Sequence, residues 1–277
     1  MRAVGIILAG GNNNRMKELT HKRAVTAMPI AGSYRSIDFA LSNMTNSHIQ
    51  KVAVLTQYNA RSLNEHLNSS KWWNFGRKQG GLYVFTPTIT NDNGYWYRGT
   101  ADAIYQNMDF LKKSHEPYVV IASGDAVYKM DYSKVLQYHI DKKADVTVVC
   151  KEMDPSDDVS RFGTIRMDDD MRITEFEEKP MVTKSNMIST GIYVIRRRLL
   201  IDLIEHAAEE ERFDFVNDVL IRYKNLKKIY GYKIDQYWSN IATVDAYYKT
   251  NMDFLKPEVR NYFFKQDPEI YSKVSDL

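Results

Sequence analysis

The chain has 277 residues, of which 44% are hydrophobic and 26% are charged, so it is long enough for one large α/β domain or two modest ones. Its net charge of +3 is too small to argue for nucleic-acid binding, which leaves small-molecule chemistry as the default. Because no apolar run could span a membrane and the first residues show no signal-peptide pattern, we expect a cytoplasmic protein with no membrane and no nucleic-acid partner.

Short β-rich apolar runs alternate with longer segments of helical period, a pattern that predicts a parallel sheet with helices on both faces. In chain order, the predicted elements are a strand at 5–9, a helix at 36–47, a strand at 51–55, helices at 60–67 and 99–113, a strand at 118–122, a helix at 132–142, strands at 145–150 and 191–195, a helix at 198–210, a strand at 228–233 and a helix at 243–254. The loops after Ala9, Leu55 and Ala122 follow predicted parallel strands, so we expect them to meet at one ligand-binding mouth.

Three further segments have no place in that alternation. Residues 154–172, with the acidic turn 168–170, resemble an inserted hairpin with a solvated turn, and a metal role there is the less favoured alternative. The aromatic stretch 71–75 fits either an oligomer contact or packing beneath the loop at 80–81. Residues beyond Pro257 show no sheet pattern and fit a linker or a docking segment.

The single cysteine, Cys150, lies in the apolar run 146–150, which excludes a disulfide framework and fits a reducing compartment. No histidine or basic cluster lies near it in sequence to activate the thiol. The sequence therefore favours a buried core thiol over a nucleophile.

The first predicted strand ends in Gly10-Gly11, and Asn12-Asn13-Asn14 and Arg15 follow. A loop of this kind can hold phosphate through backbone N–H groups, and the Arg15 guanidinium could reach the same oxygens. On its own a strand followed by two glycines is weak evidence, because many strand-to-helix turns need a residue at positive φ.

Further motifs decide the interpretation. They are YRSIDF at 34–39, LSN at 41–43, LTQY at 55–58, WYRGTADA at 96–103, SGD at 123–125, YKMDY at 128–132, FEEKP at 176–180 and STGIY at 189–193. In this order, from residue 6 to about residue 255, the chain resembles the sugar nucleotidyltransferases, and among them the ADP-glucose pyrophosphorylase (glucose-1-phosphate adenylyltransferase) family.

The resemblance implies a Rossmann-like nucleotide-diphospho-sugar transferase domain, doubly wound around a mixed, mostly parallel sheet. Members join ATP and glucose 1-phosphate into ADP-glucose for glycogen or starch synthesis, releasing pyrophosphate, and are usually tetramers. A C-terminal left-handed β-helix usually follows, but this chain has no hexapeptide repeats. We therefore expect an α/β domain at 1–255 and a linker at 256–277 toward a β-helix missing from this chain; a protein that lacks this domain is the less favoured alternative.

The resemblance also assigns expected site residues. The catalytic residues would be Arg15 and Asp125; the nucleotide-binding residues Leu8, Ala9, Gly10, Gly11, Gln57, Trp96, Gly99, Thr100 and Ala101; the sugar-phosphate-binding residues Gly163, Glu178, Lys179, Ser189 and Tyr193; and the Mg²⁺ ligands Asp125 and, in degenerate form, Asn240. Three of these residues have a plainer alternative: Tyr193 in the core, Trp96 covering an apolar surface, and Lys179 in solvent.

The chain departs from the family pattern at charged and phosphate-facing positions. Val25 replaces a lysine in the family's Lys-Pro-Ala motif, Ala126 replaces a histidine, and Asn240 replaces the second magnesium carboxylate. Asn13 replaces a loop glycine, and the segment 213–218 retains both acids of its motif but loses the histidine, glycine and lysine. An amide can bind a hard cation through its oxygen, but it does not offset the cation's charge.

These departures favour a regulatory or weakly catalytic subunit that works beside a catalytic homologue in a hetero-oligomer, or in a homo-oligomer. A weakly active enzyme using Asp125 with Lys22 or Arg23 is the competing hypothesis. A third is a silent module that binds a sugar phosphate or nucleotide without any transfer.

Overall fold

The computed structural model describes residues 2–10, 16, 19, 23–56, 60–68, 70–73, 75, 80–87 and 96–273. Its strands are β1 (Ala3–Leu8), β2 (Pro29–Ile30), β3 (Tyr34–Arg35), β4 (Lys51–Leu55), β5 (Gly81–Phe85), β6 (Tyr118–Ser123), β7 (Ala126–Tyr128), β8 (Val146–Glu152), β9 (Gly163–Met167), β10 (Ile173–Glu178), β11 (Met187–Arg196), β12 (Ile229–Ile234) and β13 (Trp238–Asn240).

The helices of the described residues complete the alternation. They are α1 (Ser36–Asn46), α2 (Ala60–His66), α3 (Thr100–Gln106), α4 (Met108–Lys112), α5 (Tyr132–Asp141), α6 (Arg197–Glu209), α7 (Val244–Asp253) and α8 (Pro257–Phe264), with 3₁₀ turns at Val25–Ala27 and Ser70–Trp73 and a π-helical turn at Val216–Ile221. Within the described part of the chain, no helix is both long and apolar enough to cross a membrane.

The main sheet is mixed, with parallel strands at its centre. Its order is β10-β9-β11-β6-β1-β4-β5, with β8 paired to β11 and β12 paired to β8. Strands β5, β4, β1 and β6 run parallel, whereas β11 runs antiparallel to β6 and to β8. The doubly wound, Rossmann-like α/β fold expected from the sequence is therefore confirmed.

Alternate residues of the central strands pack on opposite faces of the sheet. Ile7 of β1 joins the cluster beneath α1, with Leu41 and Met44, whereas Ile6 joins the cluster beneath α3 and α6, with Ile104 and Ile204. Cys150 is fully buried, as predicted for a core thiol, and burial raises its pKa to about 12. Burial on both faces explains why the central strands read as continuous apolar runs.

Two predicted elements differ from the structure. The helix expected at 99–113 is interrupted at Asn107, whose side-chain Nδ2 donates to the Ala103 carbonyl at 2.8 Å and to the Tyr97 hydroxyl at 3.0 Å. Asparagine competes with helix geometry through such local bonds. The hairpin expected at 154–172 is β9 and β10, shifted toward the C-terminus.

The acidic turn of that hairpin has a local structural role. The Asp168 carboxylate accepts bonds from the backbone N–H groups of Asp170 at 2.9 Å and Arg172 at 3.0 Å. Among the described residues, no group of three or more histidine, cysteine, aspartate or glutamate side chains could bind a metal.

The C-terminal segment packs onto the domain. No helix was expected beyond Pro257, but α8 begins there and buries Phe263 completely. Farther on, the Tyr271 N–H donates to Ser42 Oγ at 2.8 Å, and Trp73 Nε1 donates to the Tyr271 carbonyl at 3.1 Å. Trp73 and Phe75 are buried in the core, which favours packing within the domain over an exposed oligomer contact for these two side chains.

Candidate functional site

A cleft of about 580 Å³ opens at the carboxyl ends of β1 and β6, where the sequence placed the ligand-binding mouth. It is lined by Leu8, Ala9, Gly10, Val25, Thr26, Thr100, Ser123, Asp125, Arg161, Phe162, Glu178, Lys179, Thr190, Gly191, Tyr193, Phe215, Val216, Asn240 and Ala242. Residues expected to bind three different ligands thus share one cleft. Gly11, Arg15 and Gln57, as well as Lys22, lie outside the described residues.

Asp125 follows β6 and faces the cleft. Ser123 Oγ donates to Asp125 Oδ1, and the Asp125 carbonyl accepts from the Ile241 N–H at 2.9 Å. The second bond continues the antiparallel pairing of β7 with β13, in which Asn240 lies opposite Ala126. This small two-stranded sheet brings residues 125 and 240, far apart in sequence, to the same wall of the cleft.

Asn240 is bound by the protein itself. Its side-chain Oδ1 accepts from the Ala242 N–H at 2.9 Å and from Arg161 Nη1, while Arg161 Nη2 donates to the Asn240 carbonyl at 3.2 Å. The Arg161 guanidinium lies 4.3 Å from the centroid of the Phe162 ring. The amide oxygen that a cation would need therefore already accepts two hydrogen bonds, one of them from a cationic group.

The donor set does not fit a magnesium ion shared by residues 125 and 240. A hard dication favours several carboxylate or carbonyl oxygens, and a neighbouring guanidinium opposes its charge. Asp125 alone is left as a candidate ligand on this wall.

The hairpin of β9 and β10 positions Glu178 and Lys179. Glu178 pairs with Gly163 across the hairpin, and the Lys179 N–H donates to the Phe162 carbonyl at 3.1 Å. Lys179 has a φ of 47°, in the left-handed region that side chains other than glycine rarely adopt. Burial raises the pKa of the Glu178 carboxyl, Lys179 lowers it and Asp214 raises it further.

A bulge in β11 shapes the wall beside the hairpin. The register with β8 shifts between Ser189 and Ile192, where Gly191 has a φ of 76°. Ser189 Oγ and the Tyr193 hydroxyl are 3.3 Å apart, and the Tyr193 ring packs edge-on against Phe215. Tyr193 is buried in the core, which raises its pKa, and it also lines the cleft. A place in the core and a place in the site are therefore compatible for this residue.

Several of the predicted site residues contact other segments of the domain and do not line the cleft. A Cβ at Gly99 would lie 2.3 Å from the Phe213 carbonyl oxygen, and the Ala101 N–H donates to that oxygen at 2.8 Å. Thr100, in contrast, lines the cleft, and its Oγ1 accepts from the Phe215 N–H at 3.0 Å. These contacts attach α3 to the segment 213–218. Trp96 is half-exposed and, with Gly163 and Ser189, is not among the cleft-lining residues of the described chain.

The departures at positions 25 and 126, and Thr26 beside Val25, have different surroundings. Val25 and Thr26 lie on the 3₁₀ turn that lines the cleft, whereas Ala126, the first residue of β7, is buried in the core and is not among the described residues that line the cleft. The Thr26 hydroxyl oxygen is buried and has no hydrogen-bond partner among the described residues.

Sequence reasoning missed Arg161 and Thr26 as cleft residues. Arg161 immediately precedes the Phe162-Gly163 loop, and Thr26 immediately follows Val25. The only signal in the sequence was that each lies next to a residue of a recognised motif. Their side chains line the cleft because of how the hairpin and the 3₁₀ turn fold.

The fold and the cleft define an α/β domain of the nucleotidyltransferase class, and known proteins agree with this. The nucleotidyl transferase family model matches residues 4–257. The chain is 40% identical over 272 residues to a glucose-1-phosphate adenylyltransferase of Clostridium novyi, covering 97% of this chain and 71% of that protein. It is 41% identical over 274 residues to one of Bacillus anthracis, covering 98% and 73%.

Among solved structures, a protein described as a glucose-1-phosphate thymidylyltransferase from Bacillus anthracis has a similar fold, with a TM-score of 0.72 and 21% identity, covering 90% of this chain and 94% of that one. The chain belongs to the nucleotidyl transferase family, and its similar relatives there include glucose-1-phosphate adenylyltransferases.

Proposed function

We propose that this chain is a subunit of the glucose-1-phosphate adenylyltransferase type, which binds ATP and glucose 1-phosphate and contributes little turnover of its own. It would act in the cytoplasm in glycogen biosynthesis, beside a catalytic homologue in a hetero-oligomer or in a homo-oligomer. One observation is the main support: Asp125, Glu178 and Lys179 share a cleft in which Val25 and Asn240 replace two charged residues of the family pattern.

In the proposed reaction, a phosphate oxygen of glucose 1-phosphate attacks the α-phosphorus of ATP. A new P–O bond forms, the bond from the α-phosphorus to the bridging oxygen breaks, and pyrophosphate leaves with that electron pair. The protein need only position the two ligands and stabilise phosphate charge. Gly10 would border the triphosphate, Lys179 would bind the sugar phosphate, and Glu178 would accept a bond from a sugar hydroxyl.

The two lost charges account for the low turnover. A lysine at position 25 and a metal-bound carboxylate at position 240 would both act on the charge that develops in the transition state. Their joint absence is expected to reduce the rate by on the order of a thousandfold or more.

The test measures pyrophosphate release from ATP and glucose 1-phosphate with Mg²⁺, for the chain alone and for the chain mixed with a catalytic homologue. We expect little release alone and a changed rate or effector response in the mixture. Lys179→Gln is the matched variant, which should lose glucose 1-phosphate binding. Full turnover by the chain alone would contradict the regulatory role.

A silent binding module is the alternative, supported by the hydrogen bonds that already occupy the Asn240 side-chain oxygen. It predicts saturable ligand binding without Mg²⁺ and no effect on a partner's rate. A partner whose rate changes on mixing would rule it out.

A further inference from the structure

A second cavity, of about 440 Å³, lies at the opposite end of the sheet from the cleft. Its lining residues are His115, Pro117, 196–199 and Asp202. Pro117 immediately precedes β6, and the end of β11 pairs with the start of β6, whereas the cleft opens where β6 ends. Since β6 has six residues, at about 3.3 Å each, roughly 20 Å separate the two sites. The cavity is therefore separate from the cleft.

Positive charge dominates the lining of this cavity. Three consecutive arginines, Arg196 to Arg198, line it together with His115. Asp202 is the one acidic side chain among the described lining residues. Arg196 is also offset by Asp145, which lies outside the lining, with Nη2 of the arginine 3.3 Å from Oδ1 of the aspartate. The excess of positive charge therefore comes from Arg197 and Arg198.

Arg198 and His115 are available to a ligand. Both residues are exposed, and both line the cavity. Within the described part of the chain, neither side chain makes a hydrogen bond, an ion pair or a ring contact. A ligand in the cavity would therefore not have to displace an internal partner from either side chain.

Arg197 is fixed in position but keeps its charge. Its Nε donates to the Glu116 carbonyl at 2.8 Å, and its Nη1 donates to the Leu111 carbonyl at 3.0 Å. Both acceptors are neutral, and Nη2 takes part in neither bond. Because a guanidinium has five N–H donors, Arg197 can still donate to an anion in the cavity.

The arginines occupy an unfavourable place on α6. This helix begins at Arg197, and its first turn contains no acidic residue. The helix dipole places partial positive charge at this end, where anions are stabilising and cations are not. Arg197 and Arg198 therefore oppose the dipole as well as each other, and an anion bound in the cavity would offset both effects.

The volume and the lining together indicate the class of ligand. Pockets for small molecules have volumes of roughly 300–1,000 Å³, a range that includes this cavity. Guanidinium groups match the oxygens of a phosphate with paired N–H donors. Pro117 and Leu199 add apolar surface against which a carbon skeleton could pack. A small molecule that carries a phosphate group fits all of these features.

We propose that His115, Arg197 and Arg198 form a second anion site, which binds the phosphate group of a small phosphorylated molecule far from the cleft. This inference goes beyond the proposed function and does not rest on it. Free phosphate and a phosphate ester share the same recognition chemistry, and the experiment distinguishes them.

The test is titration of the full chain with inorganic phosphate and, separately, with glucose 6-phosphate, followed by amide NMR and calorimetry. We expect the amide signals of residues 115, 116 and 196–199 to shift. The same shifts should persist in Lys179→Gln, a change in the cleft lining. Tighter binding of glucose 6-phosphate would assign the site to a phosphate ester, and equal affinities would assign it to free phosphate.

Arg198→Gln should weaken phosphate binding at least tenfold, since it removes a charge-assisted contact. Lys134→Gln is the matched control, because Lys134 is an exposed cation in the first turn of α5 and lies outside the cavity lining. It should bind phosphate as the unaltered chain does. An equal loss in the two variants would mean general charge screening and would overturn the site.

Thermal unfolding separates binding from folding. Without phosphate, Arg198→Gln should unfold at an equal or higher midpoint, because a cation has been removed from a helix N-terminus. Phosphate should raise the midpoint of the unaltered chain more than that of the variant. A purely structural arginine would instead lower the midpoint when replaced, with no change in binding.

The outcomes are independent of the proposed function. Amide shifts confined to cleft residues, or no binding of either probe in Lys179→Gln, would overturn the second site. Pyrophosphate release enters none of these measurements, so the adenylyltransferase role can fail while the site is supported, and the site can fail while that role holds.

Discussion

At the scale of single residues, Lys179 combines a left-handed backbone conformation with a place in the cleft lining. Its left-handed φ of 47° lies where the hairpin ends at the cleft, and a side chain there costs about 1 kcal/mol relative to glycine. Since Lys179 retains a strained conformation at the edge of the cleft, we infer that its side chain is kept for binding at the expense of stability.

A pair of variants tests this. The free energy of unfolding of Lys179→Gly should exceed that of Lys179→Ala by about 1 kcal/mol, because only glycine relieves the left-handed strain. Both variants should lose glucose 1-phosphate binding. The measurement is chemical denaturation of both variants. At Glu177, two residues earlier and extended within β10, the order should reverse, with alanine more stable than glycine. Equal stabilities of the two Lys179 variants would remove the strain argument.

His139, on α5, determines part of the pH dependence of stability. It is 2% exposed, its Nδ1 lies 2.8 Å from Thr147 Oγ1, and burial, with a smaller effect of Arg196, lowers its pKa to about 4. The unfolded chain binds a proton near pH 6.5, whereas the folded chain does so only near pH 4, so stability is lost as the pH falls through that window.

We therefore expect His139 to reduce the free energy of unfolding by about 2 kcal/mol between pH 7 and pH 5. His139→Gln should show a smaller loss over the same range, measured by denaturant titration at each pH. His115→Gln, at an exposed position, is the control for removing a histidine from the surface. Identical slopes for the unaltered chain and His139→Gln would contradict the prediction.

At the scale of elements, α8 is part of the domain rather than an appendage. Phe263 is fully buried and packs edge-on against Phe39 of α1 at a centroid distance of 5.4 Å and against Tyr237 at the same distance. Phe263→Ala should therefore lower the free energy of unfolding by about 3–5 kcal/mol in denaturant titrations. Tyr248→Ala, at an exposed position on α7, should cost less than about 1 kcal/mol. A small effect at Phe263 would mean that the segment adds little to folding.

The elements also show which predictions a sequence permits. The central strands and α1, α5, α6 and α7 were confirmed within a few residues, because burial on one or both faces imposes a clear apolar period. Helix α8 was missed because its aromatic residues contact residues far away in sequence, such as Phe39. The break at Asn107 was missed because it depends on a local side-chain bond that leaves the apolar period unchanged.

At the scale of the whole molecule, the cleft residues were predictable as a set but not in their contacts. Asp125, Glu178, Lys179 and Asn240 do line one cleft, since strand ends of an α/β sheet converge. The bond from Arg161 to Asn240 joins residues 79 positions apart through a hairpin and a two-stranded sheet, and no local pattern predicts it. The roles assigned to the cleft residues remain predictions for the experiments above.

Restoring charge tests how much of the scaffold has been retained. In the double variant Val25→Lys, Asn240→Asp, we expect Mg²⁺-dependent pyrophosphate release to rise by on the order of a hundredfold or more, because both residues line the cleft. The single variants should give smaller gains. No gain in the double variant would mean that the pocket itself, and not only its charges, has been remodelled.

The packing behind the cleft wall gives the molecule an internal optical reporter. Trp238 is buried on β13, two residues before Asn240, and its indole packs edge-on against the Phe162 ring at 5.6 Å. The Arg161 guanidinium also lies over this phenyl ring, 4.3 Å from its centroid. Because Phe162 and Asn240 line the cleft, a ligand that enters it would change the surroundings of this indole, so the emission of Trp238 should follow occupancy of the cleft without any added label.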